Sequence, residues 1–190
     1  MSVKPPSRLP LDIDIHAHSG PLRPGAVVCV DPVESMSLPP GDGLLSVGIH
    51  PWNAAKADDA SWDRLRKWLD DARVVALGEI GMDRLRGPAL EIQEDVFMRQ
   101  AEAARERGLP VVIHCVRAFD ILTAMRKKLL SRPTGEWDGP GQWVVHGFRG
   151  KPETARQLLN AGIDLSFGDK FNEESFRITP PDRRYRETDR

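Results

Sequence analysis

The chain has 190 residues, 40% of them apolar, and a formal net charge of −1 at pH 7. That length buries one sizeable core and reads as a single domain over residues 1–190, while the near-zero charge excludes a globally basic surface that coats nucleic acid. The two cysteines, Cys29 and Cys115, are too few for a secreted disulfide framework. Residues 1–10 lack a signal-peptide core, and no stretch approaches the ~18 apolar residues of a membrane span, so a cytoplasmic protein with buried, reduced thiols and no membrane contact is expected.

Residues 11–16, where Leu11, Ile13 and Ile15 alternate with aspartates, predict the first strand, and residues 26–30 the second. A proline- and glycine-rich loop then runs to Gly43. Residues 44–49 predict the third strand and 58–72 its helix, with Trp62, Leu65, Trp68 and Leu69 on one core face and Ser61 as cap. The fourth strand is expected at 73–77, a helix at 90–107 stopped by Gly108, and the fifth strand at 109–114. A helix carrying Ala118, Leu122, Met125 and Leu129 as a buried stripe follows. Then come a strand at 142–145, a helix at 152–160 with Pro152 in its first turn, and a seventh strand at 163–167.

Strands spaced by helices predict an α/β fold with a parallel sheet. Each of His16, His18, His50, Glu79, His114 and His146 falls at or just past the end of an apolar run. Gathering them at one place favours a closed TIM-like (β/α) barrel, whose strand ends converge on one face. The barrel is short, since ~250 residues is typical. Only residues 183–188 remain for the closing strand; Arg183, Arg184 and Arg186 fit burial badly, and no helix follows. A barrel incomplete at its C-terminal end, with a displaced or poorly packed terminus, is therefore expected.

His16 and His18 are two apart at a strand end and point the same way, so both imidazoles can grip one ion. Glu79, flanked by Gly78 and Gly81, offers two oxygens able to bridge two cations, and such a pair can clamp the attacking and leaving oxygens of a displacement. Nitrogen and carboxylate donors suit zinc, manganese, nickel or iron, with magnesium also admissible. Cys115, beside His114 but facing the other way, is expected as a small buried residue.

These residues resemble the TatD-like metal-dependent hydrolases of the amidohydrolase superfamily. The matching motifs are Asp14-Ile15-His16-Ala17-His18, Val47-Gly48-Ile49-His50-Pro51-Trp52, Ala76-Leu77-Gly78-Glu79-Ile80-Gly81-Met82-Asp83, Pro110-Val111-Val112-Ile113-His114-Cys115, His146-Gly147-Phe148-Arg149-Gly150 and Glu187-Thr188-Asp189, in the family's order. The resemblance implies a deoxyribonuclease barrel with two divalent ions. His16, His18, Glu79 and Asp189 would hold one and Glu79, His114 and His146 the other, with His50 near the substrate phosphate and Glu187 a partner of the site. Arg117, Arg149 and Lys170 each follow an active-face motif; a phosphate contact and a solvated charge are equally open for them. The family pattern continues beyond the Glu-Thr-Asp motif, and the expected displaced terminus leaves the first ion's site incomplete.

The expected reaction is attack of an activated water on phosphorus, with Asp189 or Glu187 accepting its proton. Two divalent ions outweigh the charges of Glu79 and Asp189, which suits a phosphodiester anion such as DNA, bound transiently and without an obligate protein partner. Hydrolysis of an amide or ester, and a non-catalytic metal-binding barrel, are the alternatives.

Overall fold

The computed structural model describes residues 7–18, 22–132 and 141–189. Eight parallel strands close into a barrel in chain order: β1 (Asp14–Ala17), β2 (Ala26–Val30), β3 (Leu44–Val47), β4 (Val74–Asp83), β5 (Val111–Val116), β6 (Trp143–Val145), β7 (Ile163–Phe167) and β8 (Arg184–Arg186). The helices are α1 (Asp59–Trp68), α2 (Leu90–Arg107), α3 (Phe119–Leu130), α4 (Pro152–Asn160) and α5 (Glu173–Ile178), with a 3-10 turn at Pro51–Lys56. Ile15, Val27, Val112, Val144 and Tyr185 fill the barrel interior as one buried cluster. A larger cluster, including Val47, Leu77, Phe97, Leu122, Trp143 and Leu158, lies between strands and helices. Each such side chain contributes about 1.5–3 kcal/mol by leaving water.

Local chemistry sets the element ends. Asp58, not Ser61, caps α1, its carboxylate accepting the Ser61 N–H at 2.8 Å; the cap falls three residues earlier than expected because the acidic side chain precedes the turn it closes. Gly108 ends α2 in the left-handed conformation, φ +66°, which glycine adopts without a Cβ penalty. Residues 31–43, between β2 and β3, hold no helix. Val33 and Leu38 pack there against the outer core instead, as does Leu22 before β2.

The expected displaced terminus is corrected by the structure. β8 pairs with β7 at three positions and with β1 through Asp14 and Arg186, so the ring is closed. A three-residue strand presents one side chain inward, and here it is Tyr185, fully buried. The arginines lie elsewhere: Arg183 Nε donates to Asp164 Oδ1 at 2.6 Å, Arg184 sits 4.2 Å over the Phe176 ring, and Arg186 is exposed. Past β8, Thr188 donates through both N–H and hydroxyl to the Asp14 carboxylate, at 3.1 and 2.7 Å, and Asp189 N–H donates to His16 O at 3.1 Å.

At the opposite mouth of the barrel, Asp164 gathers a second polar cluster. Its Oδ2 accepts from Arg8 Nη2 and Gln142 Nε2, both at 2.9 Å. Gln142 also takes the Leu9 N–H at 2.8 Å and donates to the Tyr185 hydroxyl at 2.5 Å.

Candidate metal centre

Glu79 is the hub of the other mouth. β4 runs ten residues, Val74–Asp83, so Glu79 lies within the strand and not beyond its end as the expected 73–77 strand implied. The glycines beside Glu79 are needed for close strand contact. A Cβ on Gly81 would lie 1.8 Å from His114 O, and one on Gly78 2.7 Å from Val112 O. β5 can approach β4 only where those side chains are missing.

The two Glu79 oxygens face different histidines. Oε1 is 2.7 Å from His114 Nδ1, 2.8 Å from His146 Nε2 and 3.3 Å from His50 Nε2. Oε2 is 3.3 Å from the Nε2 atoms of both His16 and His18, which are themselves 3.1 Å apart. Asp189 Oδ1 completes the second group, 3.3 Å from His18 Nε2 and 3.6 Å from His16 Nε2. Glu187 Oε1 stands behind His146, 3.4 Å from its Nδ1. The structure thus brings together all five histidines, Glu79, Glu187 and Asp189. Arg117, Arg149 and Lys170 are exposed, and among the described residues their charged groups make no ion pair or hydrogen bond to the cluster.

Electrostatics follow from this packing. Burial opposes the charge of Glu79, yet His146, His114 and His16 outweigh it and hold the carboxyl well below its usual range. Burial likewise opposes a proton on His146, but Glu79 and Glu187 lift it well above the ordinary imidazole value. His16 is lowered by burial and by His146. A hydrogen bond donated to the Asp189 carboxylate raises His18, and the same bond lowers Asp189.

The donor set fits divalent ions. Oε2 of Glu79 is buried and accepts no hydrogen bond, which is costly unless a cation meets it. One donor atom from each of His50, Glu79 and His114, and from each of His16, His146 and Asp189, lies within 4.8 Å of its companions. Neighbouring ligands of one ion with bonds of ~2.0–2.2 Å are spaced on that scale.

Several supporting residues escaped the sequence reading. Asp83 Oδ2 accepts the Trp52 indole N–H at 2.8 Å and lies 3.2 Å from His114 Nε2. On α2, Gln100 brackets Ile49 through its N–H and C=O, at 2.7 and 3.2 Å, while Gln93 does the same for Asp83 at 2.7 and 3.1 Å. Asp31 takes the His50 N–H at 3.0 Å. The available signal was a pair of glutamines seven apart on the apolar face of α2, where an amide is kept only if it has a partner.

The model of TatD related DNase matches residues 33–190. The chain belongs to the TatD family. It is 32% identical over 126 residues to the uncharacterized metal-dependent hydrolase YjjV of Escherichia coli, covering 65% of this chain and 46% of that protein. To the 3'-5' ssDNA/RNA exonuclease TatD of Cronobacter sakazakii it is 34% identical over 121 residues, covering 63% and 43%. The crystal structure of Escherichia coli YjjV superposes with a TM-score of 0.67 at 27% identity, over 86% of this TatD-family chain and 66% of that one. The chain spans about half the length of these sequence relatives. Among the described residues, no helix is long and apolar enough to cross a membrane.

Proposed function

We propose that this TatD-family chain is a divalent-metal-dependent hydrolase of phosphodiester bonds, acting on single-stranded nucleic acid. The observation that carries the reading is the division of Glu79. Its Oε1 faces His114 and His146 while Oε2 faces His16 and His18, as a carboxylate shared by two ions requires. His16, His18, Glu79 and Asp189 would hold one ion, and Glu79, His114 and His146 the other. Ions bound there supply a water of lowered pKa and neutralise charge on a phosphoryl group.

The chain's own residues do the rest. Asp189 Oδ1, at the rim and 34% exposed, is placed to accept the attacking water's proton. Glu187 holds the His146 ring and Asp83 the His114 ring, fixing both orientations. His50, anchored through its N–H to Asp31, lies beside Oε1 of Glu79 as a contact for a substrate oxygen. The relative named as an ssDNA/RNA exonuclease supports the substrate class, and the two free thiols accord with a cytoplasmic setting.

The test is hydrolysis of a labelled single-stranded oligonucleotide by the chain loaded with manganese or zinc, set beside amide, lactone and carboxylic ester substrates. Release of nucleotides that chelation abolishes is expected. Turnover of an amide or ester with none of the oligonucleotide would replace this reading.

A further inference from the structure

The geometry points to Cys29 as a thiolate ligand of the ion held by His16 and Glu79. The inference rests on the metal reading above and goes beyond it, because histidines and carboxylates alone leave the choice of ion open.

Cys29 lies in β2 two residues after Val27, which packs inside the barrel. Side chains two apart on a strand share a face, so Cys29 points into the barrel one step nearer the metal centre. Its sulfur accepts the Glu79 N–H at 2.9 Å, which leaves a sulfur lone pair pinned at the base of the glutamate. One donor atom from each of His16, Cys29 and Glu79 lies within 4.8 Å of the other two. Independently of the cysteine, Oε2 of Glu79 is buried and accepts no hydrogen bond, with the side chain only 2% exposed.

Access is provided by a cavity of about 350 Å³ that Cys29 and Glu79 line together with His18, Gly48 and His50. Cys115 shows the contrast: it is next to His114 in sequence yet packs against the outer core beside the helices. On ligation a metal–sulfur bond forms, the S–H bond breaks, and its proton passes to solvent. A soft sulfur donor then biases the site toward zinc or cobalt and against magnesium, which takes hard oxygen ligands.

The test uses the full chain loaded with cobalt(II). Visible d–d absorption reports ligation by histidine and carboxylate, and a near-ultraviolet thiolate-to-cobalt band reports sulfur. Both are expected in the parent and in Cys115→Ser, whereas Cys29→Ser keeps the visible bands and loses the near-ultraviolet one. Visible bands without the sulfur band in the parent, or a sulfur band that survives Cys29→Ser, overturns the inference while leaving the metal reading intact. No cobalt uptake by the folded parent overturns both. Should Cys29→Ser fail to fold, Cys115→Ser gives a second readout: zinc is expected to slow the reaction of its remaining thiol with an aromatic disulfide at least tenfold, and an unchanged rate overturns the assignment.

Discussion

Asp83 Oδ2 lies 3.2 Å from Nε2 of His114, whose other ring nitrogen is 2.7 Å from Glu79 Oε1. One carboxylate thereby orients the imidazole from behind while another meets its front. Because Asp83 also accepts the Trp52 indole N–H, the ring, the carboxylate and the aromatic side chain are fixed as one unit. Asp83→Ala is expected to weaken metal affinity about 10–100-fold, the usual cost of losing such an outer partner. Competition against a chromogenic chelator measures it, and an unchanged affinity would refute the orienting role.

Glu79→Gln keeps the shape of the hub and removes its charge. An amide offers one acceptor oxygen where the carboxylate offers two, so the ions proposed on both sides would lose their shared ligand. Oligonucleotide hydrolysis is expected to fall by at least about 10², since several kcal/mol of charge stabilisation depends on the ions. Circular dichroism should show the barrel retained.

Asp189→Asn tests the proposed division into two ion positions. The residue lies 3.6 and 3.3 Å from His16 and His18, and of the group around Oε1 it has His146 within 4.8 Å. Elemental analysis after dialysis is expected to drop from two ions per chain toward one. Two fully retained ions would show that Asp189 is not a ligand.

Protons and ions compete for this centre. In the metal-free protein His146 is raised well above its ordinary value by Glu79 and Glu187, against burial. Its contribution to stability is fully present below the unfolded imidazole value, about 6.5, and is lost as pH rises through the raised value. Glu79 is depressed, so its contribution is present above the unfolded carboxyl value, about 4.3, and is lost as pH falls through the depressed one. The metal-free chain should therefore be most stable between those two unfolded values and weaken on the alkaline side. At pH 7 metal binding should release a proton, and calorimetry in two buffers of different ionisation enthalpy would show it.

Tyr185 tests closure of the ring. It is fully buried in the barrel interior, with its hydroxyl bonded to Gln142. Tyr185→Ala is expected to cost about 3–5 kcal/mol, as for other large aromatic truncations, read from a denaturant titration. A loss below about 1 kcal/mol would return the terminus to the loosely packed state expected from its arginines.

Most of the strand and helix order was legible because apolar periodicity survives in short segments: α2, α4 and β7 begin and end where the pattern says. Glu79 and the histidines stood out because each follows a run that must be a strand. The closing strand was misread because its charges were counted as a block, whereas a strand of three needs only Tyr185 inside. Asp83, Gln93 and Gln100 stayed hidden for a different reason. Their partners are backbone groups or side chains from other elements, and the seven-residue spacing of the glutamines marks buried amides without recording which groups they meet on folding.

The Asp164 cluster is complete from the chain's own atoms: two arginines and a glutamine satisfy both carboxylate oxygens. No ion is needed to close that end of the barrel. Ligands at the other mouth are thus expected to be exchanged, lost or regained without the ring coming apart. Durability and reactivity sit at opposite poles of the same eight strands, so mutations can explore new chemistry at one pole while the other keeps the molecule whole.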